Sequence, residues 1–213
     1  MKISIFGASG STGRLLTERC LAAGHDVTVL VRRPQSFPYR DRVQVVEGSP
    51  FDPSAVYLAI VGADVVFSAL GAHSPFRNED VLPRAVPVIV QAMQQAKIRR
   101  IVALGSAGAR NDALARQPAW RRWLIESFVY PMLLKWPVYE QRVQYRILSD
   151  SVLDWTMVMP PMLTNGRAKG VYRVDGEALP RNSYYISRAD VADFMMQQIS
   201  GSEWIRRGVY ISY

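Results

Sequence analysis

Short apolar runs rich in Val and Ile recur along the chain, separated by longer mixed runs. "KISIFG" from Lys2, "DVTVLV" from Asp26, "VQVVEG" from Val43, "DVVFSAL" from Asp64, "RIVALGS" from Arg100, "DWTMVM" from Asp154 and the closing "GVYISY" from Gly208 read as strands. Their apolar positions are nearly continuous rather than alternating, the pattern of strands covered on both faces of a sheet. Residues 12–23, 53–61, 81–96, 138–149 and 188–199 read as helices. Ser187 is placed to cap the last of these, with Asp190 three residues on. Strand and helix alternate, so the expected fold is α/β: one doubly wound parallel-sheet domain over residues 1–213, without linker or repeat. Two stretches break the rhythm. Residues 109–137 carry Trp120, Trp123 and Trp136 among three prolines, and residues 160–187 are rich in loop formers. Both follow strand C-terminal ends, the edge where open α/β sheets bind ligands, so they are expected to form the substrate side.

The junction between the first strand and the first helix, "GASGSTG", spaces Gly7, Gly10 and Gly13 three residues apart. A tight turn, a close approach to a pyrophosphate and a helix packed hard on the sheet each require a residue without Cβ. The helix N-terminus then offers free N–H groups and partial positive charge to phosphates, and Ser9, Ser11 and Thr12 can add hydroxyls. The alternative is a glycine-rich turn with no ligand. Strand, turn and helix fall in order here, which favours a dinucleotide. NAD-binding domains place a carboxylate after the second strand to hold the ribose 2′-hydroxyl. This chain has Arg32 and Arg33 there, suited to a 2′-phosphate, so NADP(H) is the expected cofactor unless the pair merely solvates a loop.

Composition narrows the picture further. The net charge is +8. Its arginine pairs are scattered and accompanied by no nucleic-acid motif, so no nucleic-acid partner is expected, while a polyanionic small molecule would use the same charge. The longest apolar stretch, Trp123 to Leu134, is broken by Glu126 and Pro131 and is too short to span a bilayer, so no membrane partner is expected. Nothing resembles a signal peptide, and Cys20 is the single cysteine, which excludes an internal disulfide; a cytoplasmic location is expected. Cys20 itself reads as a small core residue. No spacing of His, Cys, Asp and Glu suggests a metal site.

In this order the motifs resemble the atypical short-chain dehydrogenase/reductase group, an NAD(P)H-binding Rossmann family. The closest likeness is to its flavin reductase/biliverdin-IXβ reductase type, with the NmrA-like regulators more distant. "GASGSTG" resembles that family's glycine turn, "VTVLVRRP" its second strand, "SALGA" the end of its fourth and "VALGSAGA" its fifth with a terminal serine. "LDWTMVMPPMLTNG" resembles its sixth strand with the Pro-Pro turn, and "ISRADVADFM" its late helix. The resemblance implies that Gly7, Gly10, Ser11, Thr12 and Gly13 hold the pyrophosphate and that Arg32 and Arg33 hold the 2′-phosphate. It implies that Leu70 and Gly71 pass beneath the nicotinamide ribose and that Ser106 lies beside nicotinamide and substrate. Met159 and Pro160 would lie near the carboxamide, with Pro161 and Met162 beyond them toward the substrate. The family's acidic residue near the adenine is replaced here by Ser49.

Typical short-chain dehydrogenases pair a tyrosine with a lysine four residues on, and the lysine lowers the tyrosine pKa toward working pH. None of Lys2, Lys97, Lys135 and Lys169 stands so. Alcohol oxidation and sugar epimerisation need that base, whereas reduction of a flavin, bilin or quinone mainly needs binding and orientation. The expected activity is therefore hydride transfer from NADPH to a flat conjugated acceptor, in a monomer or homodimer. The alternative is an NmrA-like sensor that binds NADP(H) without turnover. Ser106 and His73 are the candidate catalytic residues, although a lone histidine after a strand also suits a plain loop. Trp120 and Trp123 are candidates for stacking on the substrate, or else pack an inserted helix or a dimer face.

Overall fold

A computed structural model describes residues 1–213 except His73 and Pro75. In chain order the elements are β1 (Lys2–Phe6), α1 (Ser11–Ala22), β2 (Asp26–Val31), β3 (Gln44–Glu47), α2 (Pro53–Ile60), β4 (Val65–Ser68), α3 (Val81–Gln95) and β5 (Arg100–Leu104). Then come α4 (Ala119–Leu124), α5 (Tyr130–Leu133), α6 (Lys135–Asp150), β6 (Asp154–Met159), β7 (Met162–Thr164), β8 (Arg173–Asp175), β9 (Tyr185–Ser187), α7 (Arg188–Gln197) and β10 (Arg207–Ser212). The expected strands and helices are all present, with ends shifted by a few residues.

The main sheet runs β3-β2-β1-β4-β5-β6-β10-β8. Every pairing in it is parallel except the last, where β8 runs antiparallel to β10. The chain reverses its direction of travel between β1 and β4, so the crevice at their C-terminal ends is the switch point where such sheets bind ligands. One face is covered by α1 and α7, which pack on Ile3, Ile5, Val29 and Val209. The other is covered by α2, α3 and α6 over Phe6, Val66, Ile101 and Met157. Both faces are dry, which is why the strands read as continuous apolar runs. Cys20 is fully buried between α1 and α7, and burial pushes its thiol pKa up to about 12, so it is the core residue its position suggested.

The two irregular stretches hold regular structure that the sequence pattern did not show. Residues 119–133 form α4, a π turn over Ile125–Val129 and α5. Residues 160–187 contain β7, β8 and β9; β7 and β9 pair parallel as a separate two-stranded sheet. These strands are three residues each, too short for a periodicity to register.

Asp190, fully enclosed in the first turn of α7, ties this loop region to the scaffold. Its carboxylate accepts N–H bonds from Lys169 at 2.9 Å and Gly170 at 2.8 Å, a Ser187 hydroxyl bond at 2.8 Å, and a bond from the Tyr213 hydroxyl. Ser187 in turn accepts from the Asp190 N–H at 3.0 Å, the expected cap. Burial opposes ionisation of Asp190, but the donors of Tyr213, Lys169, Gly170 and Ser187 outweigh it and hold its pKa below the usual aspartate range. A carboxyl depressed in the folded state contributes stability that is complete above the unfolded value, about 4, and is lost as pH falls through the folded value. Asp190→Asn is therefore expected to lower stability at neutral pH by about 1.5–3 kcal/mol. It should also flatten the loss of stability below about pH 4. Urea melts of both proteins across that range check both outcomes.

Candidate cofactor and acceptor site

The glycine turn is built by two contacts that leave no room for side chains. Gly7 has φ +79°, and a Cβ there would stand 2.5 Å from the carbonyl oxygen of Ala69 on the neighbouring strand end. A Cβ on Gly13 would stand 2.1 Å from the carbonyl oxygen of Gly7. Both glycines are thus required by the protein's own packing: the first seats the turn on β4, the second seats α1 on the turn. Gly10 differs. It is exposed, with φ −74° and ψ 166°, and a Cβ there would meet only the Gly7 carbonyl oxygen, at 3.3 Å. Gly10 is also the N-cap of α1 and has no side chain with which to cap the first-turn N–H groups. Open space, bare backbone and the positive end of a helix coincide there, which is the chemistry of a phosphate cradle. Ser9 and Ser11 are exposed beside it, whereas Thr12 is buried at 5% exposure. Arg14, which sequence reasoning did not single out, donates from Nε to the Ser9 carbonyl at 3.1 Å and brings a cation to the turn.

The sheet order places the other expected residues along the same edge. Arg32 and Arg33 follow β2 and are exposed, next to the end of β1. Leu70 and Gly71 follow β4; Leu70 is half-buried, and a Cβ on Gly71 would meet nothing within 4 Å. Ser106 follows β5 and is half-buried. Its neighbour Ala107 donates to the Pro160 carbonyl at 2.8 Å, and Gly105 donates to Val158 at 2.7 Å, so the ends of β5 and β6 are laced together. Met159 has its side chain fully buried in the core, leaving its backbone and that of buried Pro160 at the edge. Pro161 is half-buried, and Met162 is 64% exposed on β7. Ser49 is half-buried after β3 and its hydroxyl accepts the Phe51 N–H at 3.3 Å. His73 lies outside the described residues.

Past Ser106 the chain and α6 enclose two adjoining cavities of about 500 and 540 Å³ that share Arg110, Asn111 and Arg142. The first has Tyr130, Tyr139 and Val138 on its wall together with Lys135. Burial raises the pKa of Tyr130, so its hydroxyl stays protonated at neutral pH. Trp120 and Trp123 line neither cavity; they are 67% and 61% exposed on α4. A third, smaller cavity of about 210 Å³ lies between Gly71, Ser74, Leu82 and α6.

The inner face of α6 carries residues the sequence reading missed. Glu140 is 1% exposed and accepts the Leu82 N–H at 2.9 Å, capping the start of α3 from a different helix. Gln144, one turn on and fully buried, donates to the Leu104 carbonyl at 3.0 Å. One oxygen of each, Glu140 Oε1 and Gln144 Oε1, has no partner. The spacing of Glu140, Gln144 and Leu148 at intervals of four was the available signal, because it puts two polar residues on the stripe that Leu148 marks as core.

The NAD(P)H-binding family matches residues 7–201. This chain is a member of it. Uncharacterized proteins of Mycobacterium bovis and Mycobacterium tuberculosis are 35% identical over 103 residues, 48% of this chain but 12% of theirs, so the chain spans a small part of those relatives. The uncharacterized YwnB of Bacillus subtilis is 27% identical over 95% of this chain and 94% of its own. A (4-alkanoyl-5-oxo-2,5-dihydrofuran-3-yl)methyl phosphate reductase of Streptomyces griseus is 29% identical over 74% of this chain and 46% of its own. Among solved structures, a Burkholderia pseudomallei protein is 28% identical over the whole of both chains with a TM-score of 0.80. A short-chain dehydrogenase/reductase of Veillonella parvula in complex with NADP is 24% identical, covers 100% of this chain and 94% of its own, and has a TM-score of 0.80. ChuY, an anaerobillin reductase of Escherichia coli O157:H7, is 20% identical, covers 100% of this chain and 97% of its own, and has a TM-score of 0.78.

The NAD(P)H-binding family implies a dinucleotide, and this chain's own geometry fits one: the only glycine of the turn not needed for packing, Gly10, is the one that leaves the helix N-terminus open. Two substitutions separate these roles. Gly13→Ala is expected to destabilise the fold by about 1–3 kcal/mol, because its methyl collides with backbone that cannot turn aside. Gly10→Val is expected to leave the melting temperature nearly unchanged and to weaken NADPH binding at least about 100-fold, since the cradle loses charge-assisted N–H contacts. Thermal melts and fluorescence titration of NADPH measure the two.

Proposed function

We propose that this protein is an NADPH-dependent reductase of a flat, conjugated and anionic acceptor such as a flavin or bilin. The observation that carries the reading is the pair of cavities between residues 109–114 and α6: tyrosine rings and aliphatic walls suit a planar conjugated molecule, while Arg110, Lys135 and Arg142 suit its phosphate or carboxylate groups. NADPH, when bound, supplies the hydride. The protein's own contribution is placement. Gly10 and the α1 N-terminus hold the pyrophosphate, with Ser9, Ser11 and Thr12 beside it, and Arg32 and Arg33 hold the 2′-phosphate. Leu70, Gly71, Ser49 and the backbone of Met159 and Pro160 shape the rest of the cofactor groove. Segments 109–137 and 160–187, including Pro161 and Met162, form the acceptor side. The Ser106 hydroxyl orients the acceptor or the carboxamide as a neutral hydrogen-bond donor. The Tyr130 hydroxyl, protonated at neutral pH, stands on the cavity wall as a second donor. Proton supply to the reduced acceptor then comes from solvent through these open cavities.

Cofactor choice rests on the two exposed arginines. NADPH is expected to bind at least about tenfold more tightly than NADH, the lower end of one charge-assisted contact. Exchanging both Arg32 and Arg33 for alanine should remove that margin and leave NADH binding nearly unchanged. Calorimetric titration of both nucleotides measures this, and equal affinities in the unmodified protein would overturn the assignment.

Turnover is tested by following NADPH absorbance with FMN, biliverdin and a soluble quinone. Oxidation with FMN or biliverdin is the expected result; tight NADPH binding with no turnover on any acceptor would favour the NmrA-like sensor. Ser106→Ala is expected to slow turnover by about tenfold, the loss of one neutral hydrogen bond, with little change in NADPH affinity. A thousandfold loss would instead place Ser106 in a proton relay.

A further inference from the structure

The segment from α4 through the π turn to α5 is unusual in one respect: none of its residues is buried. Its outward side chains are nevertheless those of a protein interior. Trp120 is 67% exposed, Trp123 61%, Leu124 43%, Phe128 45%, Met132 71% and Leu133 51%. Trp123 and Phe128 meet edge to face with ring centroids 5.3 Å apart, so the apolar side chains form a connected surface rather than scattered exceptions. The rings line neither of the two cavities that share Arg110 and Arg142.

The charges around this surface indicate what covers it. Between residues 113 and 139 the cations are Arg116, Arg121, Arg122 and Lys135, and Glu126 is the single acid. Arg116 pairs with Asp175 and Glu177, and Arg121 lies 3.9 Å over the Tyr184 ring and bonds the Ser183 carbonyl, so these two anchor the segment to the loop behind it. Arg122 and Lys135 remain exposed at the margin of the apolar side chains, in a protein of net charge +8. A second copy docking through the same surface would bring these cations toward their own equivalents, which repels. An anionic, deformable surface meets both demands at once: it accepts irregular Trp, Leu, Phe and Met side chains at the headgroup boundary and attracts the flanking Arg and Lys. No helix among the described residues is long and apolar enough to cross a membrane, and a contact of this kind needs none.

We infer that the 119–135 segment docks this protein peripherally onto an anionic lipid surface, with Trp120, Trp123, Phe128 and Met132 entering the interface and Arg122 and Lys135 facing the headgroups. Lys135 is shared with the wall of the first cavity, so the test uses Arg122, which lines neither cavity. The lack of a spanning stretch, from which no membrane partner was expected, does not bear on a peripheral contact of this kind.

The full chain is mixed with phosphatidylcholine vesicles, or with vesicles that also carry phosphatidylglycerol, and bound protein is measured by sedimentation and by the blue shift of tryptophan emission. Binding is expected on the phosphatidylglycerol vesicles, with little on phosphatidylcholine alone, and it should weaken as salt rises. The triple variant Trp120→Ser/Trp123→Ser/Met132→Ser should bind at least about tenfold more weakly, and Arg122→Glu weaker by about fivefold for each unit of charge changed. All four positions are exposed, so unchanged melting temperatures are expected and confirm that the variants are folded. No binding to phosphatidylglycerol vesicles at low salt overturns the inference. So does binding that the triple variant leaves intact, which would be adsorption by charge alone. Light scattering that shows a dimer dissolved by the triple variant would assign the surface to a second copy instead.

Discussion

The approach of the Gly13 backbone to the Gly7 carbonyl is the contact on which the site depends. A Cβ at residue 13 would stand 2.1 Å from that oxygen, so the first turn of α1 reaches the end of β1 only because no side chain intervenes. That seat aims the helix N-terminus along the C-terminal edge of the sheet. The uncapped N–H groups then face the crevice between β1 and β4, where the strand order reverses. Moving the helix by even one carbon's width would tilt its positive end away from that crevice.

From this seat the rest of the edge follows by hydrogen bonding. Parallel pairing of β1 with β4, of β4 with β5 and of β5 with β6 brings their last residues side by side, although 100 positions of sequence separate Phe6 from Ser106. The Ala107–Pro160 and Gly105–Val158 bonds fix the height of Ser106 against the end of β6. Ser106 is thereby held, half-buried, beside the end of β6.

Two features of α6 show how such a scaffold tolerates polar groups. Glu140 and Gln144 sit on its buried face: Glu140 accepts through one oxygen with the other left over, and Gln144 donates its amide N–H to Leu104 while its oxygen has no partner. Glu140 joins α6 to the first turn of α3, so the two helices flanking the 210 Å³ cavity are held by a hydrogen bond as well as by packing. Across the molecule, Asp190 shows the opposite arrangement, a buried carboxylate whose four donors come from three separate segments.

The parallel sheet class and the glycine turn after β1 were determined by sequence alone because their causes are local. Continuous Val and Ile runs leave no polar face, so the strands had to be covered on both sides, and the three glycines announced a turn, a cradle and a helix seat within seven residues. Only the tertiary structure told the glycines apart, since Gly7 is crowded by Ala69, which arrives from β4, Gly13 by the Gly7 carbonyl across the turn, and Gly10 by almost nothing. It alone put Glu140 inside and Trp120 and Trp123 outside, reversing what polarity would suggest for each. It also found the antiparallel β8 and the β7–β9 pair, whose hydrogen bonds are made between distant segments too short to carry a pattern of their own. Burial is a property of neighbours, and for these residues the neighbours lie far along the chain.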